Sequence, residues 1–179
     1  ERLATIASQA RAVVDPTERL RALESVEPEL RKLAGRNDDA KRLLTNVADA
    51  PATASADAAR RKALEAQREA EGRSRDNALK AARRAIDAAR NRLGDAEKLI
   101  VAEREKLKGV QPTSRDGERR ADLGARRGLI RLLRARLLHE KAETYAQKSK
   151  DRERLNRDAA KQLGALYEKY SKWGVGLYA

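Results

Sequence analysis

Residues 79–107 read LKAARRAIDAARNRLGDAEKLIVAEREKL and carry a large apolar residue at every seventh position. A repeat of seven places these residues along one side of an α-helix, and a partner helix must cover that stripe. The stretch therefore predicts a long helix that packs in coiled-coil fashion. The repeating residues are Leu79, Ile86, Leu93, Ile100 and Leu107, with Ala82, Ala89 and Ala96 three positions after the first three.

A second stripe with the same spacing follows the segment 109–114, whose glycine and proline indicate a turn. Its members are Leu123, Ile130, Leu137 and Thr144. Each of them has a counterpart in the first stripe at the same distance from the midpoint between residues 111 and 112. These counterparts are, in the same order, Ile100, Leu93, Ile86 and Leu79. We therefore expect an antiparallel hairpin folded around this turn, with Leu93 near Ile130 and Ile86 near Leu137, within one turn of register.

The flanking sequence extends both arms of the predicted hairpin. Residues 56–108 contain no proline and predict one helix, about 80 Å long at 1.5 Å per residue, with a weak point at Gly72. A second helical segment is expected from the turn to about Trp173. Nearer the start of the chain, Pro28 is expected to break or kink a short helix, and residues 50–55 are expected to form a linker.

These patterns predict an all-α fold, a long antiparallel coiled-coil-like hairpin with a small helical bundle at its open end. We divide the chain into residues 1–51, which hold short helices, and residues 52–179, which hold the hairpin. The turn of the hairpin lies near residues 109–116, and the C-terminal end of the hairpin is aromatic. An aromatic cluster at that end is expected to close the hairpin against the first domain.

The composition of the 179-residue chain excludes several classes of protein. Only 40% of residues are hydrophobic, 39% are charged, and Phe, Met and Cys are absent, so a large compact core is not expected. The lack of Cys excludes disulfides, thiolate metal sites and Cys catalysis but leaves the compartment open, cytoplasmic or in a secreted or virion assembly. No apolar run reaches the roughly 20 residues that span a bilayer. Because the chain begins Glu1-Arg2, we expect a fragment or processed product.

The positive charge is unevenly distributed. Residues 1–51 hold 9 basic and 9 acidic residues, whereas residues 52–179 hold 32 basic and 19 acidic, which accounts for the whole net charge of +13. Arginine forks suit phosphate and carboxylate oxygens. A cluster just after the predicted turn is therefore a candidate contact for a polyanion or an acidic partner, with a solvated helix face as the alternative. Its members are Arg115, Arg119, Arg120, Arg126, Arg127, Arg131 and Arg134.

Apolar residues beyond the heptad stripe suggest protein contacts. Leu129 and Leu132 fall outside the stripe, so further neighbours are expected to cover them. The two interpretations are a third helix of this chain, with residues 1–48 as its suggested source, and a docking partner. Tyr170 and Trp173 share a helical face near the end and are candidates for the small core or for an aromatic interface.

Residues that carry catalytic or cofactor chemistry are scarce. The only histidine, His139, lies in a helix without Cys nearby, and no glycine-rich phosphate loop follows a strand. We therefore expect no enzyme activity, no cofactor, no metal site and no small-molecule substrate. In shape and composition the long charged hairpin resembles stalk proteins of secretion machines, bacteriocin stalks and internal phage proteins, without a shared motif.

The sequence predicts a non-enzymatic helical interaction or scaffold module of a larger protein or assembly, with a protein partner or self-association. The alternative is a basic helical module that binds a polyanion, either nucleic acid or an anionic membrane surface. The basic runs contain no interleaved aromatic residues, so stacking on single-stranded bases is not supported.

Overall fold

A computed structural model describes Thr5, Gln9, Ala12, Val13 and residues 16–170 of the chain. Every regular element within these residues is a helix and none is a β-strand, which confirms the predicted all-α class. The predicted contact residue Trp173 lies outside the described residues. The helices are α1 (Pro16–Ala34), α2 (Asp38–Val47), α3 (Asp49–Arg68), α4 (Arg73–Lys106), α5 (Arg115–Glu143) and α6 (Lys150–Tyr170).

Proline does not interrupt the early helices in the way the sequence suggested. Helix α1 continues through Pro28 to Ala34, and α3 already begins at Asp49, so residues 50–55 are helical and the predicted linker is wrong. Pro51 is the third residue of α3. The first N–H groups of a helix have no partner within the helix, so a proline there forfeits no hydrogen bond.

The predicted single helix over residues 56–108 is two helices. Helix α3 ends at Arg68, Glu69 adopts an extended conformation, and Gly72 has a φ of 142°, which favours glycine. After this break α4 packs on α3. Buried alanines supply the contact from both helices, among them Ala59 and Ala63 of α3 with Ala82 and Ala89 of α4. Small side chains allow two helix backbones to approach closely.

The two heptad stripes lie in one apolar cluster to which α4 and α5 both contribute. Its buried large apolar members from the stripes are Ile86, Leu93, Ile100, Leu107, Leu123, Ile130 and Leu137, whereas Leu79 is only partly buried. Ion pairs flank this contact. Glu103 near the end of α4 contacts Arg119 near the start of α5, and Asp87, earlier in α4, contacts Lys141 near the end of α5.

The predicted long helix from the turn to Trp173 is also interrupted. Helix α5 ends at Glu143, and the Arg83 guanidinium from α4 donates hydrogen bonds to the hydroxyl and the carbonyl oxygen of Thr144. The same guanidinium lies 3.8 Å from the centre of the Tyr145 ring. The Ser149 hydroxyl then accepts a hydrogen bond from the Arg152 N–H and caps α6.

Helix α6 packs along α5, on surface that the heptad stripe does not use. One contact joins Leu138 and Ala142 of α5 to Leu155 and Ala159 of α6, and another joins Leu132 and Ala135 to Leu166. A third helix of the chain thus covers the extra apolar surface of α5 around Leu132, whereas Leu129 stays exposed. That helix is α6, whereas the sequence had suggested residues 1–48. No described helix has a segment long and apolar enough to cross a membrane.

Candidate functional site

Three of the predicted contact arginines converge on one carboxylate. Arg127, Arg131 and Arg134 are spaced by four and three residues, which places them on one face of α5. All three pair with Glu97 of α4. The Glu97 Oε1 atom lies 3.2 Å from Arg127 Nε and 2.6 Å from Arg131 Nε, and Oε2 lies 2.6 Å from Arg134 Nη1. The Glu97 side chain is 11% exposed and is largely shielded from water, whereas the three arginine side chains are 22–38% exposed.

The environment of Glu97 changes the pKa of its carboxyl group. Burial raises the pKa, but the hydrogen bonds and positive charges of Arg131, Arg127 and Arg134 together outweigh burial and hold it below its ordinary value. Glu97 is therefore ionised at neutral pH and carries one negative charge among three guanidinium groups. The cluster keeps a surplus of positive charge.

Two further arginines of the predicted patch also have partners within the chain. Arg119 pairs with Glu103, whose side chain is buried. Arg126 donates to the Asp49 carboxylate at 2.8 Å and to the Thr45 carbonyl oxygen at 2.7 Å, and so ties α5 to α2 and α3. These side chains hold helices together.

Two arginines of the patch have no such partner among the described residues. Arg115 is exposed at the start of α5. Arg120 is half-buried, and its Nε atom is shielded from solvent without a hydrogen-bond acceptor. The predicted guanidinium-rich surface is therefore mostly an interhelical ion-pair network, because acidic residues of α3 and α4 face it.

Sequence reasoning missed the part that Arg90 plays in this cluster. Arg90 lies on α4, seven residues before Glu97, and lines the same cleft as Glu97, Arg131 and Arg134. Burial and the nearby charge of Arg134 lower the pKa of its guanidinium, and Asp87 and Asp158 offset this only in part. The sequence holds a signal for this arrangement, because Arg90, Glu97 and Arg104 repeat every seven residues beside the apolar stripe.

The predicted protein-contact residues have different environments. Leu132 is 3% exposed and packs against α6, so its contact lies within the chain. Tyr170 is partly buried against the same group. Leu129 is 47% exposed and remains available on the surface, as does Tyr167.

The single histidine of the chain lies apart from the Glu97 cluster. His139 is exposed, and its Nδ1 atom lies 3.0 Å from the Asn156 side-chain oxygen. Across residues 16–170 and the four described positions before them, no group of three or more His, Asp or Glu side chains could hold a metal ion.

Comparison with known proteins adds no relative. No protein family matches the chain, and neither a curated protein nor a solved structure is significantly similar to it. Function must therefore be argued from the residues themselves.

Proposed function

We propose that the chain is a non-enzymatic helical interaction or scaffold module of a larger protein or assembly. The observation that carries this proposal is that charged side chains of α4 and α5 form ion pairs with one another. Asp87, Glu97 and Glu103 all pair with basic residues of α5, so they hold two long helices together. Helix α4 has 34 residues and spans about 51 Å, a length suited to presenting a surface at a distance.

The finer architecture that we propose is a long antiparallel coiled-coil-like hairpin of α4 and α5. The two flanking ion pairs support it, because partners of Asp87 and Glu103 come in reverse order along α5. The shared apolar cluster of Leu93 and Ile130 supports it as well.

Cysteine crosslinking tests the hairpin without a background, since the chain has no Cys. Leu93→Cys is combined with Ile130→Cys or, one turn further, with Arg134→Cys. We expect one of these pairs to form a disulfide within one chain on mild oxidation. The control combines Leu93→Cys with Arg115→Cys, at the start of α5. Crosslinks that form only between chains, or equally in the control, would contradict the hairpin.

A photoreactive residue tests the interaction function. It replaces Leu129, which is exposed on α5, and in the control it replaces Glu65, which is exposed on α3. We expect protein adducts from position 129, with a second copy or another protein of the source cells, that persist at high salt because the contact is apolar. No adduct above the control, together with a monomeric native mass, would contradict the proposal.

A second candidate function is binding of a polyanion, for which duplex DNA and anionic vesicles are the probes. The observation that favours it lies around the α3–α4 break. Residues 57–84 hold nine basic and five acidic residues, and several exposed cations there have no ion-pair partner among the described residues. These are Arg61, Lys62, Arg68, Arg73, Lys80 and Arg84.

Charge substitution distinguishes this candidate from a solvated surface. In one variant Gln replaces Arg61, Lys62 and Arg68, and in the matched control it replaces the exposed Lys148, Lys150 and Arg157. We expect the first variant alone to bind more weakly, with a salt dependence flatter by up to about 0.9 units of slope per lost phosphate contact. Equal losses of affinity in both variants would show that binding depends only on the net charge of the chain and not on this surface.

A further inference from the structure

A cleft between α4, α5 and α6 gathers more positive charge than the chain neutralises. Its volume is about 340 Å³, within the range of small-molecule sites. Leu166 and Ala165 of α6 form part of its wall. The polar side chains that line it are Arg90 and Glu97 from α4, Arg131 and Arg134 from α5, and Gln162 and Lys169 from α6.

Glu97 cannot neutralise the cations of this cleft. Its single charge is shared by Arg131, Arg134 and Arg127. A guanidinium has five N–H donors, and within the described residues Arg131 and Arg134 each direct one nitrogen at Glu97. The remaining donors of both arginines can bind a further acceptor.

Arg90 has no hydrogen bond and no ion pair within the described part of the chain. Its Nε atom is shielded from solvent and has no acceptor, and the same is true of Arg134 Nε. Two carboxylates lie near Arg90, but neither forms an ion pair with it. Asp87 pairs with Lys141 at 2.7 Å, and Asp158 makes no direct pair with the Arg90 guanidinium. Both Nε atoms are closed to water, so an anion in the cleft reaches these two side chains through their Nη groups.

We propose that this cleft binds a single phosphate-type oxyanion, either inorganic phosphate or the phosphate of a small monoester. Arg90, Arg131 and Arg134 converge from two helices and donate to different oxygens of the tetrahedral group, and Lys169 and Gln162 approach from the third. A dianion with four oxygens matches this surplus of charge and donors better than a carboxylate does, because a carboxylate brings one charge and two oxygens. This inference goes beyond the scaffold function and does not depend on it.

The cleft is distinct from the exposed basic surface around the α3–α4 break. The cations of that surface are open to solvent, whereas the cleft is a recess lined by side chains of three helices. The ligand is therefore a small phosphate group that enters the recess. If the cleft bound only long polyanions, duplex DNA would bind while inorganic phosphate failed to compete, and that result would overturn the proposal.

Calorimetric titration of the full chain with inorganic phosphate, pyrophosphate and glycerol 3-phosphate, at constant ionic strength, tests the site. Arg90→Gln removes the arginine that has no ion-pair partner, and Arg84→Gln is the control from the exposed side of the same helix. We expect Arg90→Gln to weaken phosphate binding about tenfold or more, because a charged hydrogen bond is lost, and Arg84→Gln to leave it unchanged.

Thermal unfolding supplies a second readout that separates binding from folding. Phosphate should raise the melting temperature of the parent chain, since a ligand that binds only the folded state stabilises it. Without phosphate, Arg90→Gln should melt no lower than the parent, because it removes a buried cation next to Arg134, yet it should lose the phosphate-induced rise. Gln162→Leu should weaken binding while keeping the fold. Absence of any phosphate effect on the parent, or equal losses in Arg90→Gln and Arg84→Gln, would overturn the proposal.

Discussion

At the scale of single residues, Glu97 organises the contact between α4 and α5. Its two carboxylate oxygens receive three guanidinium groups, from Arg127, Arg131 and Arg134, at distances of 2.6–3.2 Å. Charge-assisted hydrogen bonds are stronger than neutral ones, and the removal of one partner leaves the others uncompensated. Loss of this carboxylate would leave these three arginines and Arg90 without the negative charge that separates them.

The first prediction concerns Glu97→Gln, which keeps the shape of the side chain and removes its charge. We expect the free energy of unfolding to fall by about 1–3 kcal/mol, less than the 3–5 kcal/mol typical of a fully buried pair, because water still reaches the arginines. Urea denaturation monitored by circular dichroism measures the loss. The control is Glu105→Gln, an exposed position 4.0 Å from Lys108, where we expect little change. Equal effects at both sites would show that the Glu97 cluster does not stabilise the fold.

The second prediction follows from the direction of the pKa shift. The pKa of the Glu97 carboxyl lies below its ordinary value in the folded chain, since the three arginines outweigh burial. The stability from this group is therefore complete above an unfolded pKa of about 4.3 and is lost as the pH falls through the lower folded value. We expect the parent chain and Glu97→Gln to differ at pH 7 and to converge in acid. A difference in unfolding free energy that stays constant from neutral to strongly acidic pH would contradict this.

At the scale of helices, the repeat of seven identified the apolar contact of α4 and α5. Leu93 and Ile130 are both buried in the same cluster, because a spacing of seven returns to nearly the same side of a helix. The helix breaks could not be predicted as readily. Gly72 is a local signal, but the end of α5 depends on hydrogen bonds from Arg83 to Thr144, 61 residues away in sequence. Local propensity does not contain that contact.

The third prediction compares two glycines that lie in helices. A Cβ on Gly117 would clash with the Gln111 carbonyl oxygen and lie 2.5 Å from the Pro112 oxygen, and these backbone atoms cannot easily move. We expect Gly117→Ala to lower the melting temperature. A Cβ on Gly164 in α6 would meet nothing within 4 Å, so Gly164→Ala should gain up to about 1 kcal/mol from helix propensity. Thermal denaturation should show a lower melting temperature for Gly117→Ala and a higher one for Gly164→Ala. A melting temperature of Gly117→Ala that is not lowered would contradict the packing of the α4–α5 turn.

At the scale of the whole molecule, the sequence predicted the kind of element that covers α5 but not its identity. Leu132 lies outside the heptad stripe and requires another neighbour, which is α6. Several helices of this chain offer similar stripes of Ala and Leu, so composition alone could not choose among them. The surroundings of the predicted contact arginines could not be predicted for a related reason. Arg131 and Arg134 were assigned to a free surface, because the sequence does not show that Glu97 faces them.

The last prediction concerns cooperativity across the fold. Leu30 of α1 and Leu93 of α4 are fully buried and belong to one apolar cluster to which α1, α2, α3, α4 and α5 all contribute. Leu30→Ala should therefore lower the free energy of unfolding by about 2–5 kcal/mol and speed hydrogen exchange in α4 as well as in α1. Mass spectrometry of exchanged peptides measures both helices. Leu33→Ala is the control on the same helix, where the leucine is 44% exposed and a much smaller effect is expected. If faster exchange after Leu30→Ala were confined to α1, that helix would open on its own, and the apolar cluster would not unfold as one unit.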